Sequence, residues 1–220
     1  MQISRRGLLG VGGVAFAATG IAGIVPSAQA QTSPAAPPAG DPRMADRALG
    51  KPDALVRVDE WFSLTCPHCA RFHADVFPQI QSDLITPGKL RFVFNDFPLD
   101  QVALTASMVA RSLPPERYEP FCSALLATQD RWAFARGVNS TEELAKMALL
   151  AVMSRDAFNA AIADTGLRNA ILQRQADASK NYKVDSTPTF IFNGPGEKDH
   201  SESGERSYDE FAKLVTTAAG

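Results

Sequence analysis

Cys66-Pro67-His68-Cys69 places two thiols three residues apart, directly after the apolar run Leu55-Val56-Arg57-Val58-Asp59-Glu60-Trp61-Phe62. On a helix, residues three apart share a face. Two cysteines so placed at a helix start can close a small disulfide, and the helix N-terminus favours the thiolate of the first. A thiolate within reach of a disulfide partner is a redox centre, with Cys66 as the nucleophile and Cys69 as the resolving thiol. His68 lies between them, and a protonated or hydrogen-bonding imidazole there would favour the Cys66 thiolate further. A lowered thiol pKa stabilises the dithiol form and makes the disulfide more oxidising. An inert structural disulfide is the alternative. Cys66, Cys69 and His73 also have a zinc-like Cys-x2-Cys-x3-His spacing, but a fourth ligand is lacking.

Glu60 lies six residues before Cys66, within that apolar run. Alternation along an extended strand puts Val56, Val58, Glu60 and Phe62 on one face, so the carboxyl is expected to point inward unless local twist carries it to an edge. A buried carboxyl must be hydrogen-bonded or protonated, and next to Cys69 it would serve as a proton shuttle. The third cysteine, Cys122, sits in the apolar helical context Phe121-Cys122-Ser123-Ala124-Leu125 and reads as a buried, inert thiol. An intermolecular disulfide through it is the alternative. His73 and His200 read as surface residues, and Trp61 and Trp132 as packing residues.

These groups need elements to position them. Residues 55–62 read as a buried strand and a helix follows from Cys66 to about Ile80, with Pro78 breaking it near the end. Residues 90–97 form a second strand after the turn Pro87-Gly88. Residues 102–182 read as helices, punctuated by Pro114-Pro115, with Ser140 or Thr141 capping one of them. Thr189-Phe190-Ile191-Phe192 begins a terminal strand, followed by the turn Asn193-Gly194, a loop to about Glu205 and a last helix from Tyr208 to Thr216. The order is strand, helix, strand, helical block, hairpin, helix.

The chain has 220 residues, a formal net charge of -2, 45% hydrophobic and 21% charged residues, all ordinary for a globular protein. It has no basic run long enough for a nucleic-acid surface. Its beginning differs in kind. Arg5-Arg6-Gly7-Leu8-Leu9 opens an uncharged stretch that closes on Pro26 and Ala28-Gln29-Ala30, which predicts a signal peptide over residues 1–30. The paired arginines resemble the twin-arginine export signal, although Gly10 stands where lysine is common. A general secretory signal or an uncleaved anchor would also fit. Cleavage after Ala30 removes two arginines and no acid, for a mature charge of about -4. Residues 31–40, rich in proline and alanine, are expected to be a linker, and residues 41–53 a loose arm. Export implies an oxidising compartment, where a structural disulfide and a catalyst of disulfide exchange both fit.

Thr187-Pro188-Thr189, directly before the terminal strand, brings the pattern together. Cys-Pro-His-Cys after an aromatic strand, a helical block, and Thr-Pro-Thr more than a hundred residues later resemble the DsbA-like thiol-disulfide oxidoreductases of the thioredoxin superfamily. The resemblance covers about residue 55 to the end. It implies an α/β, thioredoxin-like fold over residues 54–220 with a helical insertion at about 102–182. It implies that Pro188 is cis and faces Cys66, leaving the backbone of Thr187 to pair with an extended substrate. Cys66, Pro67, His68, Cys69, Thr187 and Pro188 are carried over as site residues, and Glu60 occupies the place where such proteins often keep a buried acid. The activity implied is the introduction of disulfides into reduced exported proteins in the periplasm, with a membrane reoxidant of the DsbB type and no cofactor. A reductase or isomerase of the same fold, or a chaperone-like binding module with a structural disulfide, are the rivals. Residues 31–54 are short and lack a heptad or strand pattern, so a monomer is expected.

Overall fold

The structure, a computed structural model, describes residues 40–220, so the predicted leader and most of the linker lie outside the described residues. Its centre is a mixed sheet in the order β1-β3-β2-β4-β5. Strand β2 (Val56–Phe62) runs parallel to β3 (Leu90–Asp96) and antiparallel to β4 (Thr189–Asn193). Strand β1 (Arg47–Leu49) pairs with β3, and β5 (His200–Ser203) with β4, both antiparallel. As the central strand, β2 is buried along one face, while on the other Arg57 and Asp59 remain partly exposed. Val56, Val58, Glu60 and Phe62 line the buried face, and each is 1% exposed or less. On the other, Trp61 packs with Phe97, Ala178, Val184 and Ile191.

From β2 the chain crosses to β3 through α1 (Pro67–Asp75), α2 (Phe77–Ile80) and a π-helical turn at Gln81–Ile85. The break at Val76 follows from Pro78, which has no N–H to give the carbonyl of Ala74. Helix α9 (Tyr208–Ala219) starts from a reciprocal cap between Ser207 and Glu210. Its Phe211 joins Phe72 and Phe77 over the sheet, with centroid separations of 4.7 Å for Phe72–Phe190, 5.0 Å for Phe77–Phe92 and 5.2 Å for Phe192–Phe211. Each such ring contributes about 1.5–3 kcal/mol by leaving water. This layer fixes α1, and hence the two thiols, against β2.

Between β3 and β4 lies the helical insertion: α3 (Gln101–Arg111), α4 (Pro115–Ala127), α5 (Gln129–Trp132), α6 (Ser140–Leu150), α7 (Arg155–Ala163) and α8 (Thr165–Tyr182). Asp100, Ser154 and Asp164 cap α3, α7 and α8. The cap of α6 is Asn139, one residue before the expected Ser140 or Thr141. Its Oδ1 accepts from the N–H groups of Thr141 and Glu142 at 3.0 and 3.3 Å.

Two expectations change. Residues 41–53 are no loose arm, because β1 occupies the edge of β3 and Arg111 ties down the backbone before it. The Arg111 guanidinium is fully buried, lies 2.6 Å from Asp96, and donates to the carbonyls of Ala45 and Arg43 at 2.9 and 3.3 Å. Tyr118 adds a bond to Asp96 at 3.1 Å. Gly50, at φ 92°, turns the chain out of β1 where a Cβ would collide with the Leu90 carbonyl. Hydropathy sees none of these polar ties. The terminal hairpin is present, but its second strand, β5, lies within the segment read as a loop before Glu205, and its side chains are polar. Cys122 is buried beside Tyr118, and burial first, then the Asp96 charge, pushes its thiol well up, as befits an inert cysteine.

Candidate redox site

Cys66 is the N-cap residue of α1. Its backbone is extended, and its carbonyl accepts the first helical bond, from Ala70, at 3.1 Å. Pro67 follows at the position where a missing N–H costs nothing. The next N–H groups, of His68 and Cys69, face the Cys66 sulfur. The Cys66 thiol is held down at about 5: the Cys69 thiol donates to it first, and burial opposes, while Thr187 and the backbone N–H groups of Cys69 and His68 add support. The hydroxyl of Thr187 is buried without a geometrically formed hydrogen bond. In the thiol form Cys66 donates to the Thr187 carbonyl, 3.3 Å away. The Thr187–Pro188 bond is cis, and the Pro188 carbonyl is tied to the N–H of Gly204 at 2.8 Å.

Cys69 behaves oppositely. It is fully buried, and burial, its bond to Cys66 and the charge of Glu60 push its thiol well above the ordinary value. One sulfur is therefore an anion at neutral pH and the other a thiol. Both are free cysteines here.

Glu60 points inward and is completely buried. Its carboxyl oxygens lie 3.1 and 2.9 Å from Nε2 of His73, whose side chain is only 5% exposed. The surface position expected for His73 is thus wrong. Four residues after Cys69, it takes the same inward face of α1, and that spacing was the available signal. Among the described residues no cluster of His, Cys, Asp or Glu is arranged to hold a metal ion.

His68 is exposed, and its ring meets Glu205 and Arg71. Nδ1 lies 2.5 Å from Glu205 and 2.6 Å from the Arg71 guanidinium, which also donates to Glu205. Burial raises the Glu205 carboxyl, but the bonds from Arg71 and His68 outweigh it and hold it below its ordinary value. It is the backbone of His68, rather than the imidazole, that supports the Cys66 thiolate. Glu205 and Arg71 left no readable signal in the sequence.

The loop before α1 hangs from the helical insertion. Gln129 of α5, buried, donates to the carbonyls of Leu64 and Cys66 at 2.9 and 3.0 Å. Thr65 donates to Asp100 at 2.7 Å, while the other oxygen of Asp100 caps α3 at Ala103. Both sulfurs are thus shielded, Cys66 at 3% exposure and Cys69 at 0%, and they differ in what surrounds them: donors hold Cys66, while Cys69 meets the charge of Glu60.

A family model described as thioredoxin matches residues 43–216. The crystal structure of Wolbachia pipientis alpha-DsbA1, in a variant lacking two cysteines, is 30% identical with a TM-score of 0.73, covering 80% of this chain and 90% of that one. BdbD from Bacillus subtilis, at 21% identity and TM-score 0.68, covers 79% and 92% and shares the fold. A Rickettsia bellii protein whose name proposes a protein-disulfide oxidoreductase is 27% identical over 157 residues, 71% of this chain and 60% of that one. The chain thus spans well under two thirds of that relative. These likenesses agree with the strand order, the insertion between β3 and β4 and the paired thiols at the start of α1: the chain belongs to the thioredoxin family and is DsbA-like within it.

Proposed function

We propose that this protein is a thiol-disulfide oxidoreductase of the bacterial envelope that introduces disulfides into reduced exported proteins. The observation that carries the reading is the opposite displacement of the two thiols, Cys66 to about 5 and Cys69 well upward. A substrate thiolate attacks Sγ of Cys66 in the oxidised pair. The Cys66–Cys69 bond breaks, its electron pair goes to Cys69, and the proton that the substrate thiol released to solvent reaches Cys69 through the Glu60 carboxyl group. A second substrate thiolate then attacks the substrate sulfur of the mixed disulfide, and Cys66 leaves as a stabilised thiolate. The substrate has lost two electrons and the protein holds a dithiol. A membrane reoxidant of the DsbB type returns the pair to the disulfide. Pro67 and the backbone of His68 hold the nucleophile, and Thr187 with Pro188 presents the carbonyl beside it where an extended substrate pairs. No cofactor enters. The protein acts as a monomer in the periplasm, delivered by the leader at residues 1–30.

A stabilised thiolate is a good leaving group, and it favours the dithiol, so it supports the oxidase direction. The test is a redox titration of the Cys66–Cys69 pair against glutathione, with the rate at which the oxidised protein forms a disulfide in a reduced two-cysteine peptide. An oxidising potential and rapid oxidation are expected. A reducing potential with efficient unscrambling of a multi-disulfide substrate would assign an isomerase or reductase, and a pair that glutathione cannot reduce would assign a structural disulfide.

A further inference from the structure

His73 has no place in the scheme so far, yet it is the side chain against Glu60. Its ring is enclosed by Phe62, Phe72, Phe77 and Phe94, with centroids at 6.0, 5.6, 4.9 and 6.2 Å. Those neighbours, from β2, α1, α2 and β3, carry no charge. The titratable group facing the ring is Glu60, and Cys69 lies within reach of the Glu60 charge. Nε2 meets both carboxyl oxygens, whereas Nδ1 is buried without any partner. An unpaired N–H donor in such a place costs about 1–3 kcal/mol, so the ring hydrogen belongs on Nε2, where it is donated to Glu60. A hydrogen bond to the ionised form of an acid favours that form.

We propose that His73 is the positioning residue for Glu60, donating Nε2–H to the buried carboxyl group so that it is held in place to exchange a proton with Cys69. The inference rests on the reading of Glu60 as the proton shuttle. In the step concerned, the S–H proton of Cys69 passes to the Glu60 carboxylate. The Cys69 sulfur then forms its bond to Cys66, the bond from Cys66 to the partner sulfur breaks, and that sulfur leaves with the electron pair as a thiolate. Without the Nε2–H donor, the Glu60 carboxyl loses the side chain that holds both its oxygens.

The experiment isolates this step. Reduced protein is converted to the mixed disulfide of Cys66 with glutathione, and release of glutathione by Cys69 is followed against pH in the unmodified chain and in Glu60→Gln, His73→Phe and His73→Gln. Phenylalanine suits the aromatic cage but lacks the donor, whereas glutamine supplies an amide N–H. His73→Phe is expected to move the midpoint of the pH–rate profile upward by about one unit, an about tenfold slowing below the midpoint. His73→Gln should restore most of it, and the thiolate titration of Cys66 should stay unchanged in both. Slowing in Glu60→Gln with an unmoved profile in His73→Phe would overturn the role of His73 and leave that of Glu60. No slowing in Glu60→Gln would overturn both. Should His73→Phe not fold, nitrogen chemical shifts of the unmodified protein decide: hydrogen on Nε2 supports the inference, and hydrogen on Nδ1 overturns it.

Discussion

Helix α1 carries two histidines five residues apart, each set against a glutamate, and the two pairs live in different media. His68 and Glu205 meet at the rim, where the His68 side chain is 61% exposed and Arg71 shares the carboxylate. His73 and Glu60 meet inside, at 5% and 0% exposure. Salt and water blunt the contacts of the rim pair, whereas a hydrogen bond closed off from water keeps its strength. The same division runs through the cysteines. Cys66 gains its thiolate from oriented N–H and S–H donors, while Cys69 is held as a thiol by burial. Reactivity at this centre is thus set by oriented hydrogen bonds and by dryness, and little by the exposed charges around it.

The most severe way to test that division is to remove one sulfur at a time. Cys66→Ser should abolish peptide oxidation, while Cys69→Ser should accumulate mixed disulfides through Cys66, read on a non-reducing gel. Equal trapping by both variants would erase the distinction. Next in size is the titration of the reduced protein. Thiolate absorbance should rise with a midpoint of about 5, far below the about 8.5 of a free thiol. Because the folded value is the lower one, the stabilisation is complete above the unfolded value and is lost as pH falls through the folded one. Urea midpoints of the reduced protein should therefore drop between about pH 8.5 and about pH 5 relative to the oxidised form, by up to about 1.4 kcal/mol per unit. A constant difference between the two forms would contradict the shift.

The dryness argument extends to the other buried pair. Asp96→Ala leaves Arg111, fully buried, without its carboxylate, and should cost about 3–5 kcal/mol in urea denaturation. A loss below about 1 kcal/mol would mean that water reaches this site after all. The smallest effect belongs to the rim. Glu205→Gln removes the carboxylate that His68 and Arg71 share, so the Cys66 midpoint should fall slightly further, by about half a unit or less, and the change should fade in high salt. A shift of a full unit that survives salt would show the rim to be as influential as the interior.

The redox centre was legible because its logic is local. Cys66 and Cys69 are one helical turn apart, and two-residue alternation turned Glu60 inward. What lay beyond reach depended on partners distant in the chain. Nothing near Gln129 announces that its amide will hold the carbonyls of Leu64 and Cys66, and nothing near Glu205 names His68. Strand β1 was hidden because three residues with two of them polar or small, Arg47, Ala48 and Leu49, make no pattern. Strand β5, His-Ser-Glu-Ser, reads as a loop because an edge strand exposes its polar side chains. His73 is the instructive error: residue type suggested the surface, while its four-residue spacing from Cys69 pointed to the core. The Thr187–Pro188 geometry came from resemblance, since no residue nearby specifies it.

Gln129 carries a consequence for the timing of activity. Its two bonds span 65 and 63 residues, and the Thr187 carbonyl reaches Cys66 across 121. Non-local contacts of this length form late, after their loops have closed. A chain whose insertion has not yet docked therefore holds only the local part of the support for the Cys66 thiolate, from the Cys69 thiol and the N–H groups at the start of α1. The share from Thr187 joins when that segment arrives. The acidity of Cys66 thus serves as a gauge of how far the domain has assembled.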